Sequence, residues 1–313
     1  MKPVLCIVTP CFNEEEILMI SSQALSNVIN ELVDKDKISP ESYVCFVDDG
    51  STDHTWLLIN ELCSKNTVFK GIKLSNNFGH QNALLAGLFS QKNIADCIIT
   101  IDADLQDDVD IIEKMIDKYS EGNKIVYAVR RHRKSDSYGK RNSAQLFYKL
   151  MEWLGVKTIY NHADYRLADR QVIINLEKFN EVNIFLRGIF PLMGFKHEIV
   201  LFDRKAREYG ETKYTVPKML SFAWQGITSF NTSLLRMVTY VGIIIFLFSI
   251  ITAIWVVISY LQHKTYAGWT SILLVLSLFL GINMICLGII GEYVGKIFYE
   301  VKQRPRYIIE EEI

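Results

Sequence analysis

The sequence predicts an α/β protein: a doubly wound, mostly parallel, Rossmann-like sheet, followed by an amphipathic interface helix and two transmembrane helices. Three observations carry that expectation. Short β-branched runs alternate with segments of helical periodicity through the first 130 residues. Polar, Asp- and Gly-containing stretches fall directly after the apolar runs, where strands would end. Two long apolar segments without a charge lie beyond position 236.

The elements follow in order. Val4–Thr9 is β-branched and is stopped by Pro10, so it reads as a strand. The start is too short and too quickly followed by Glu14, Glu15 and Glu16 to be a signal peptide. Glu15–Val33 places Ile17, Ile20, Leu25, Val28, Ile29 and Leu32 at helical spacing. Tyr43–Val47 is a second strand, closed by Asp48-Asp49-Gly50-Ser51. A helix follows over Thr52–Cys63, with Ser51 or Asp53 placed to cap it. Val68–Leu74, Cys97–Ile101 and Lys124–Val129 read as strands, Gln81–Gln91 and Val109–Tyr119 as helices. Such alternation builds a parallel sheet with ligands beyond the carboxyl ends of its strands. The loops 9–14, 48–53, 75–80 and 102–107 are expected to meet there. From 130 to 215 the pattern is irregular, with a basic loop (Arg130, Arg131, Arg133, Lys134, Lys140, Arg141) and a helix near Ser143–Leu154.

Lys218–Leu235 puts Met219, Ala223, Ile227, Phe230 and Leu234 on one face, as a helix lying on a membrane would. Met237–Leu261 and Trp269–Ile290 are each long enough to span a bilayer. The connection between them holds one lysine. Arg236 precedes the pair, and Lys296, Lys302, Arg304 and Arg306 follow it. That bias puts both flanks in the cytoplasm. The expected division is a cytoplasmic catalytic domain over 1–215, a juxtamembrane segment over 216–235, two spans within 236–291 and a cytoplasmic tail over 292–313. The protein would then be multi-pass, in the cytoplasmic membrane, with both termini inside.

Composition agrees with this division. Half the residues are hydrophobic and 22% are charged, and the two classes segregate along the chain. A net charge of −1 gives no footprint for nucleic acid. The six cysteines show no metal spacing and read as reduced core residues in a reducing compartment.

Asp102-Ala103-Asp104 is the centre of the chemistry. Two carboxylates at i and i+2, just past an apolar strand, suit a hard divalent cation carrying a diphosphate. Alone the triplet is a weak signal. Its setting strengthens it, because Thr9, Pro10, Asn13, Glu14, Asp48 and Asp49 end neighbouring strands. Asp49-Gly50-Ser51 also reads as a turn that caps a helix. The forked guanidinium groups of the basic loop suit phosphate oxygens.

The motifs are recognisable as a set. They run Thr9-Pro10-Cys11-Phe12-Asn13-Glu14-Glu15, Val47-Asp48-Asp49-Gly50-Ser51-Thr52-Asp53, Asn77-Phe78-Gly79-His80-Gln81, Asp102-Ala103-Asp104-Leu105-Gln106-Asp107 and Asp164-Tyr165-Arg166-Leu167. Phe185-Leu186-Arg187-Gly188, Gly210-Glu211-Thr212-Lys213-Tyr214 and Leu287-Gly288-Ile289-Ile290-Gly291-Glu292-Tyr293 continue them. The chain resembles family-2 glycosyltransferases of the GT-A fold over nearly its whole length. Within them it is most similar to polyisoprenyl-phosphate glycosyltransferases of the bacterial bactoprenol glucosyltransferase kind, with dolichol-phosphate mannose synthases more distant.

The resemblance implies roles. Pro10, Asn13, Glu15, Asp48 and Asp49 would line the nucleotide site, and Asp102 would face ribose or diphosphate. Asp104 with Gln106 would hold Mg²⁺ or Mn²⁺, and Asp164 stands where the family has its candidate catalytic carboxylate. Arg130, Arg133, Arg141, Arg187 and Lys213 would handle donor or lipid phosphates. The implied reaction is an inverting transfer of a hexose, with UDP-glucose as first donor, to undecaprenyl phosphate for cell-envelope glycosylation. A homo-oligomer (a tetramer by resemblance) and a flippase partner are also implied. Asn76 and Ala163 depart from the pattern, where relatives carry arginine and glycine.

Other readings remain open on the sequence. UDP-N-acetylglucosamine or UDP-galactose could be the donor, and diacylglycerol or a polysaccharide the acceptor. A membrane-tethered nucleotide-sugar binding protein is the non-enzyme reading.

Overall fold

A computed structural model describes residues 2–131, 162–181, 185–203 and 269–313, with single positions between 238 and 262. The chain divides into two compact units, Met1–Ala223 with Pro305–Ile313, and Trp224–Arg304.

The first unit is built on an eight-stranded sheet. Strands β1 (Leu5–Cys11), β2 (Tyr43–Asp48) and β3 (Phe69–Leu74) alternate with helices α1 (Leu18–Asp34) and α2 (Thr55–Lys65). Helix α3 (His80–Gln91) then leads to β4 (Cys97–Thr100), and α4 (Ile111–Ser120) to β5 (Ile125–Arg130). Strand β6 (His162–Asp169), helices α5 (Arg170–Leu176) and α6 (Leu186–Leu192), and strand β7 (His197–Phe202) follow. Helix α7 (Trp269–Lys302) precedes the last strand, β8 (Ile309–Glu312).

The strand order is β7-β5-β6-β4-β1-β2-β3-β8. Every residue of β1 and β2 is buried, which is why both read as unbroken apolar runs. The chain leaves β1 toward β2 and β3, then returns to place β4 on the other side of β1. That reversal opens a crevice beyond the carboxyl ends of β1 and β4, where a doubly wound sheet takes its ligands.

Two strands oppose the rest. Strand β6 runs antiparallel between β4 and β5, and β8 antiparallel on β3. The sheet is therefore mostly parallel, as expected. Neither β6, β7 nor β8 was foreseen in the sequence. The β8 ladder is tightened by Gly71, whose N–H donates to Ile313 and whose carbonyl accepts from it, each at 2.9 Å. Lys73 adds an ion pair to Glu310 at 3.0 Å.

Two local expectations are corrected. Ile20, assigned to the buried face of the first helix, is exposed; Ser21 and Ser22 take the buried positions and bond back to the carbonyls of Leu18 and Met19. Ser51 does not cap α2. Asp53 Oδ1 accepts the N–H of Thr55 at 2.9 Å, while Ser51 Oγ accepts the N–H of Asn13 at 3.0 Å. Helix α3 reaches the sheet through Gly87, where an added Cβ would lie 2.4 Å from Val8 Cγ1 and 2.9 Å from Val47 Cγ2.

In the second unit, α7 is a 34-residue helix. Its stretch Ile282–Lys302 is the one helix among the described residues long and apolar enough to cross a membrane, and none of it is buried. The expected second span ended at Ile290; the helix continues twelve residues further, to Lys302. In the expected first span, Ile243, Ile244, Leu247, Phe248, Ile251, Ile254, Trp255 and Ile258 are helical and exposed. Their spacing puts them on one face. The interface helix at 216–235 and the helix near Ser143–Leu154 lie outside the described residues.

Candidate active site

The site forms where the first four loops meet the start of β6. The loop after β1 turns through Asn13, whose backbone is left-handed at φ 53°. Its side chain fastens it, with Oδ1 accepting the Thr52 N–H at 2.9 Å. Glu15 accepts from the backbone N–H of His54 at 3.0 Å, and its Oε2 lies 2.8 Å from His54 Nδ1. Those two bonds hold its carboxyl below the usual range. Pro10 is buried at the end of β1.

Asp48 ends β2 and Asp49 follows it, and burial raises the pKa of both carboxyls. Asp48 faces the N–H of Ser51 at 3.3 Å. Asp49 is spent on the next loop, where its two oxygens accept from Phe78 N–H at 2.8 Å and Gly79 N–H at 2.9 Å. Gly50 lets that loop approach. Its φ is 66°, and a Cβ there would meet the Asn76 carbonyl carbon at 2.5 Å. Asn76 is exposed, and its side chain accepts the N–H of Asn77 at 2.8 Å.

Beyond β4, Asp102 and Asp104 are both partly exposed. Leu105 is held left-handed at φ 51°, so the loop turns back and Gln106 N–H donates to Asp104 Oδ1 at 3.2 Å. Gln106 itself is 6% exposed. Among the described residues no group of three or more His, Cys, Asp or Glu side chains gathers as a metal cage. A divalent cation that keeps water and shares a substrate diphosphate needs only one or two protein carboxylates. The hard oxygens of Asp102 and Asp104 fit that requirement.

Asp164 is 8% exposed. Strand periodicity sets Asp164 and Arg166 side by side on β6. Arg166, 1% exposed, donates from Nη2 to Asp164 Oδ1 and lies over the Phe190 ring, 4.6 Å from its centroid. Arg187, presented by α6, donates to Oδ2 from Nη2 at 2.8 Å and from Nε at 3.2 Å. Burial alone would raise the Asp164 carboxyl, but Arg187, Arg166 and His80 together hold it well below the usual carboxylate range. Thr100 fixes the strand by donating to the Asp164 carbonyl at 2.5 Å.

Of the phosphate candidates, Arg130 is engaged by Asp107, with Nη2 3.1 Å from Oδ1. Arg133, Arg141 and Lys213 lie outside the described residues. The structure thus brings together Asn13, Asp48, Asp49, Asp102, Asp104, Asp164 and Arg187 around the strand ends. The sequence reading gave no role to His80, Gln81 or Arg166. Arg166 had a signal, a charge two residues from Asp164 within the Asp164–Leu167 motif. His80 had none.

The family profile described as Glycosyl transferase family 2 matches residues 6–176. An uncharacterised glycosyltransferase of Bacillus subtilis, YkoT, is 49% identical over 99% of this chain and 92% of its own. The prophage bactoprenol glucosyl transferase homolog of Escherichia coli is 36% identical, covering 97% of each. The bactoprenol glucosyl transferase of Shigella phage SfX is 34% identical over 97% of this chain and 98% of its own. Among solved structures, the mannosyltransferase PcManGT of Pyrobaculum calidifontis, in complex with GDP-Man and Mn²⁺, covers 97% of this chain and 89% of its own at 13% identity and a TM-score of 0.41.

Proposed function

The chain belongs to glycosyl transferase family 2, and on that premise we propose that it moves a hexose from a nucleoside diphosphate sugar to the phosphate of a polyprenyl lipid. One observation carries the choice of acceptor. Both oxygens of Asp164 are held by guanidinium groups, Oδ1 by Arg166 and Oδ2 by Arg187. A carboxylate so engaged is a poor proton acceptor. A hydroxyl acceptor such as diacylglycerol would need a base. A phosphate monoester does not, because its second ionisation lies near ~6. The likeness to relatives named bactoprenol glucosyl transferases supports the same acceptor and makes UDP-glucose the first donor to test.

In this reading a lipid phosphate oxygen attacks the anomeric carbon while the bond from that carbon to the diphosphate breaks on the opposite face. The configuration inverts. Asp164 balances positive charge on the ring or orients a sugar hydroxyl, and keeps Arg187 aimed at phosphate. Asp102 would face the ribose or the diphosphate, while Pro10, Asn13, Glu15, Asp48 and Asp49 would shape the nucleotide end. Asp104 with Gln106 would hold Mg²⁺ or Mn²⁺, which when bound would neutralise charge on the departing diphosphate.

The acceptor's tail stays in the bilayer, so the cleft must be kept near the headgroups. The apolar α7 and the exposed apolar face between 243 and 258 suit two spans of a cytoplasmic-membrane protein, with catalytic unit and both termini inside. Arg130, Arg133, Arg141 and Lys213 complete the basic set for lipid or donor phosphate. A homo-oligomer and a flippase for the product belong to the same reading, with envelope glycosylation as the outcome.

The test is direct. Purified protein in vesicles receives a panel of radiolabelled nucleotide sugars with a short polyprenyl phosphate, diacylglycerol or no acceptor. Label extracted with the polyprenyl phosphate, and base-stable only as a sugar phosphate lipid, is the expected result. Label on diacylglycerol would overturn the acceptor, and nucleotide binding without transfer would favour a binding protein.

A further inference from the structure

His80 opens α3 at the mouth of the cleft. Its Nε2 lies 3.5 Å from Asp102 Oδ1 and 3.9 Å from Asp164 Oδ2. Both gaps exceed an ordinary hydrogen bond, so neither carboxylate uses the ring fully. A nitrogen facing two acceptors carries its proton toward them, and the tautomer is assigned from those surroundings. The ring is 41% exposed, so the N–H is open to a ligand.

The position is built rather than incidental. Asp49 holds the two backbone N–H groups before His80. Gly79 takes a left-handed φ of 91° that few other residues adopt. Asn82 Nδ2 ties back to the Phe78 carbonyl at 2.8 Å. Gln81 Oε1 accepts the N–H of Leu186 at 3.1 Å, and so ties α3 to the helix that presents Arg187. The segment 78–82 thereby joins the ends of β2, β4 and β6.

We propose that His80 donates a hydrogen bond from Nε2 to the diphosphate of the bound nucleotide sugar, at the oxygen that leaves with the nucleotide. This rests on the transferase reading, with Asp102 toward the ribose side and Asp164 toward the sugar. The diphosphate connects those two ends, so it passes the imidazole that stands between them. Arg166 and Arg187 pair with Asp164 and Arg130 with Asp107, so His80 would add a donor beside these cations rather than replace them. As the anomeric carbon–oxygen bond breaks, its electron pair goes to the diphosphate oxygen, and the N–H···O bond strengthens without transfer of the proton. The contact is thus worth more in the transition state than in the ground state.

The test uses full-length protein in vesicles, with His80→Ala and His80→Gln. Binding of UMP, UDP, GMP and GDP is measured by calorimetry, and turnover with the working nucleotide sugar. His80→Ala should weaken the diphosphate about tenfold and leave the monophosphate within about twofold. Its kcat should fall about 10- to 100-fold, and His80→Gln, which keeps an N–H donor, should recover most of both. Parallel loss for mono- and diphosphate, or no loss for either, would overturn the proposal. A wild-type protein that binds no nucleotide would sink the transferase reading and this role together. One that binds diphosphate but makes no sugar lipid would remove the acceptor assignment alone and leave the binding comparison decisive for His80.

Discussion

Arg187 grips Asp164 with two hydrogen bonds to one oxygen, at 2.8 Å from Nη2 and 3.2 Å from Nε, while Arg166 takes the other oxygen. Replacing Asp164 by Asn keeps the shape and removes the charge. It leaves a guanidinium uncompensated at a position 1% exposed. Breaking a buried pair in this way costs about 3 kcal/mol. Asp164→Asn is expected to melt several degrees lower and to lose turnover far more than nucleotide affinity. Turnover near wild type with only the melting point lowered would make Asp164 a structural residue.

The same pair sets the response to pH. The folded carboxyl of Asp164 sits well below its usual range. A depressed group contributes stability that is present above its unfolded value, near ~3.9, and is lost as pH falls through the folded value. Asp164 therefore stays ionised throughout the neutral range. Transfer should fall off only as the acceptor phosphate takes its second proton, around ~6. A rate profile recorded from acid to alkaline pH checks this. A rise in rate at acid pH, where Asp164 would be protonated, would contradict it.

Gly87 gives a stability prediction that is independent of chemistry. A methyl group there collides with Val8 and Val47 in the buried strands. Overpacking of this kind costs about 1–3 kcal/mol. Gly87→Ala should lower the melting temperature, and adding Val8→Ala should restore part of the loss because the two sites touch. Nucleotide affinity at the remaining folded fraction should be unchanged.

Metal dependence is checked by chelation and by Asp104→Asn and Asp102→Asn. Chelation is expected to abolish transfer, and Mg²⁺ or Mn²⁺ to restore it. Asp104→Asn should cut turnover at least about 100-fold, since a lost charge-stabilising group in the cleft is worth several kcal/mol. Full activity with chelator present would remove the cation from the reaction.

The first five strands and first four helices were legible because buried parallel strands read as unbroken apolar runs, and Pro10, Asp48 and Asp102 punctuate them. The face of α1 was misread at Ile20. Small serines can satisfy themselves against the preceding turn and pack close, which a hydrophobicity pattern does not register. Strand β6 escaped notice because it carries Asp164, Arg166 and Asp169, charges that mark a loop to the eye. It also enters the cleft by its beginning, opposite to its neighbours. Strand β8 is held by edge pairing with β3, and three glutamates in a row carry no apolar signal for it. In the site, the strand-end carboxylates stood out as motifs. The placement of His80 between Asp102 and Asp164 did not, since no spacing in the chain links positions 80, 102 and 164.

The return of residues 305–313 to the first unit changes how a soluble version of this enzyme should be engineered. Stopping the chain at 215 would strip β8 from β3 along with the apolar module. It would leave a bare row of N–H and C=O groups at Phe69–Leu74, an invitation to edge-to-edge aggregation. Excising 224–304 and splicing 223 to 305 through a flexible linker keeps that edge zipped. The spliced protein should stay monodisperse where the simple truncation precipitates.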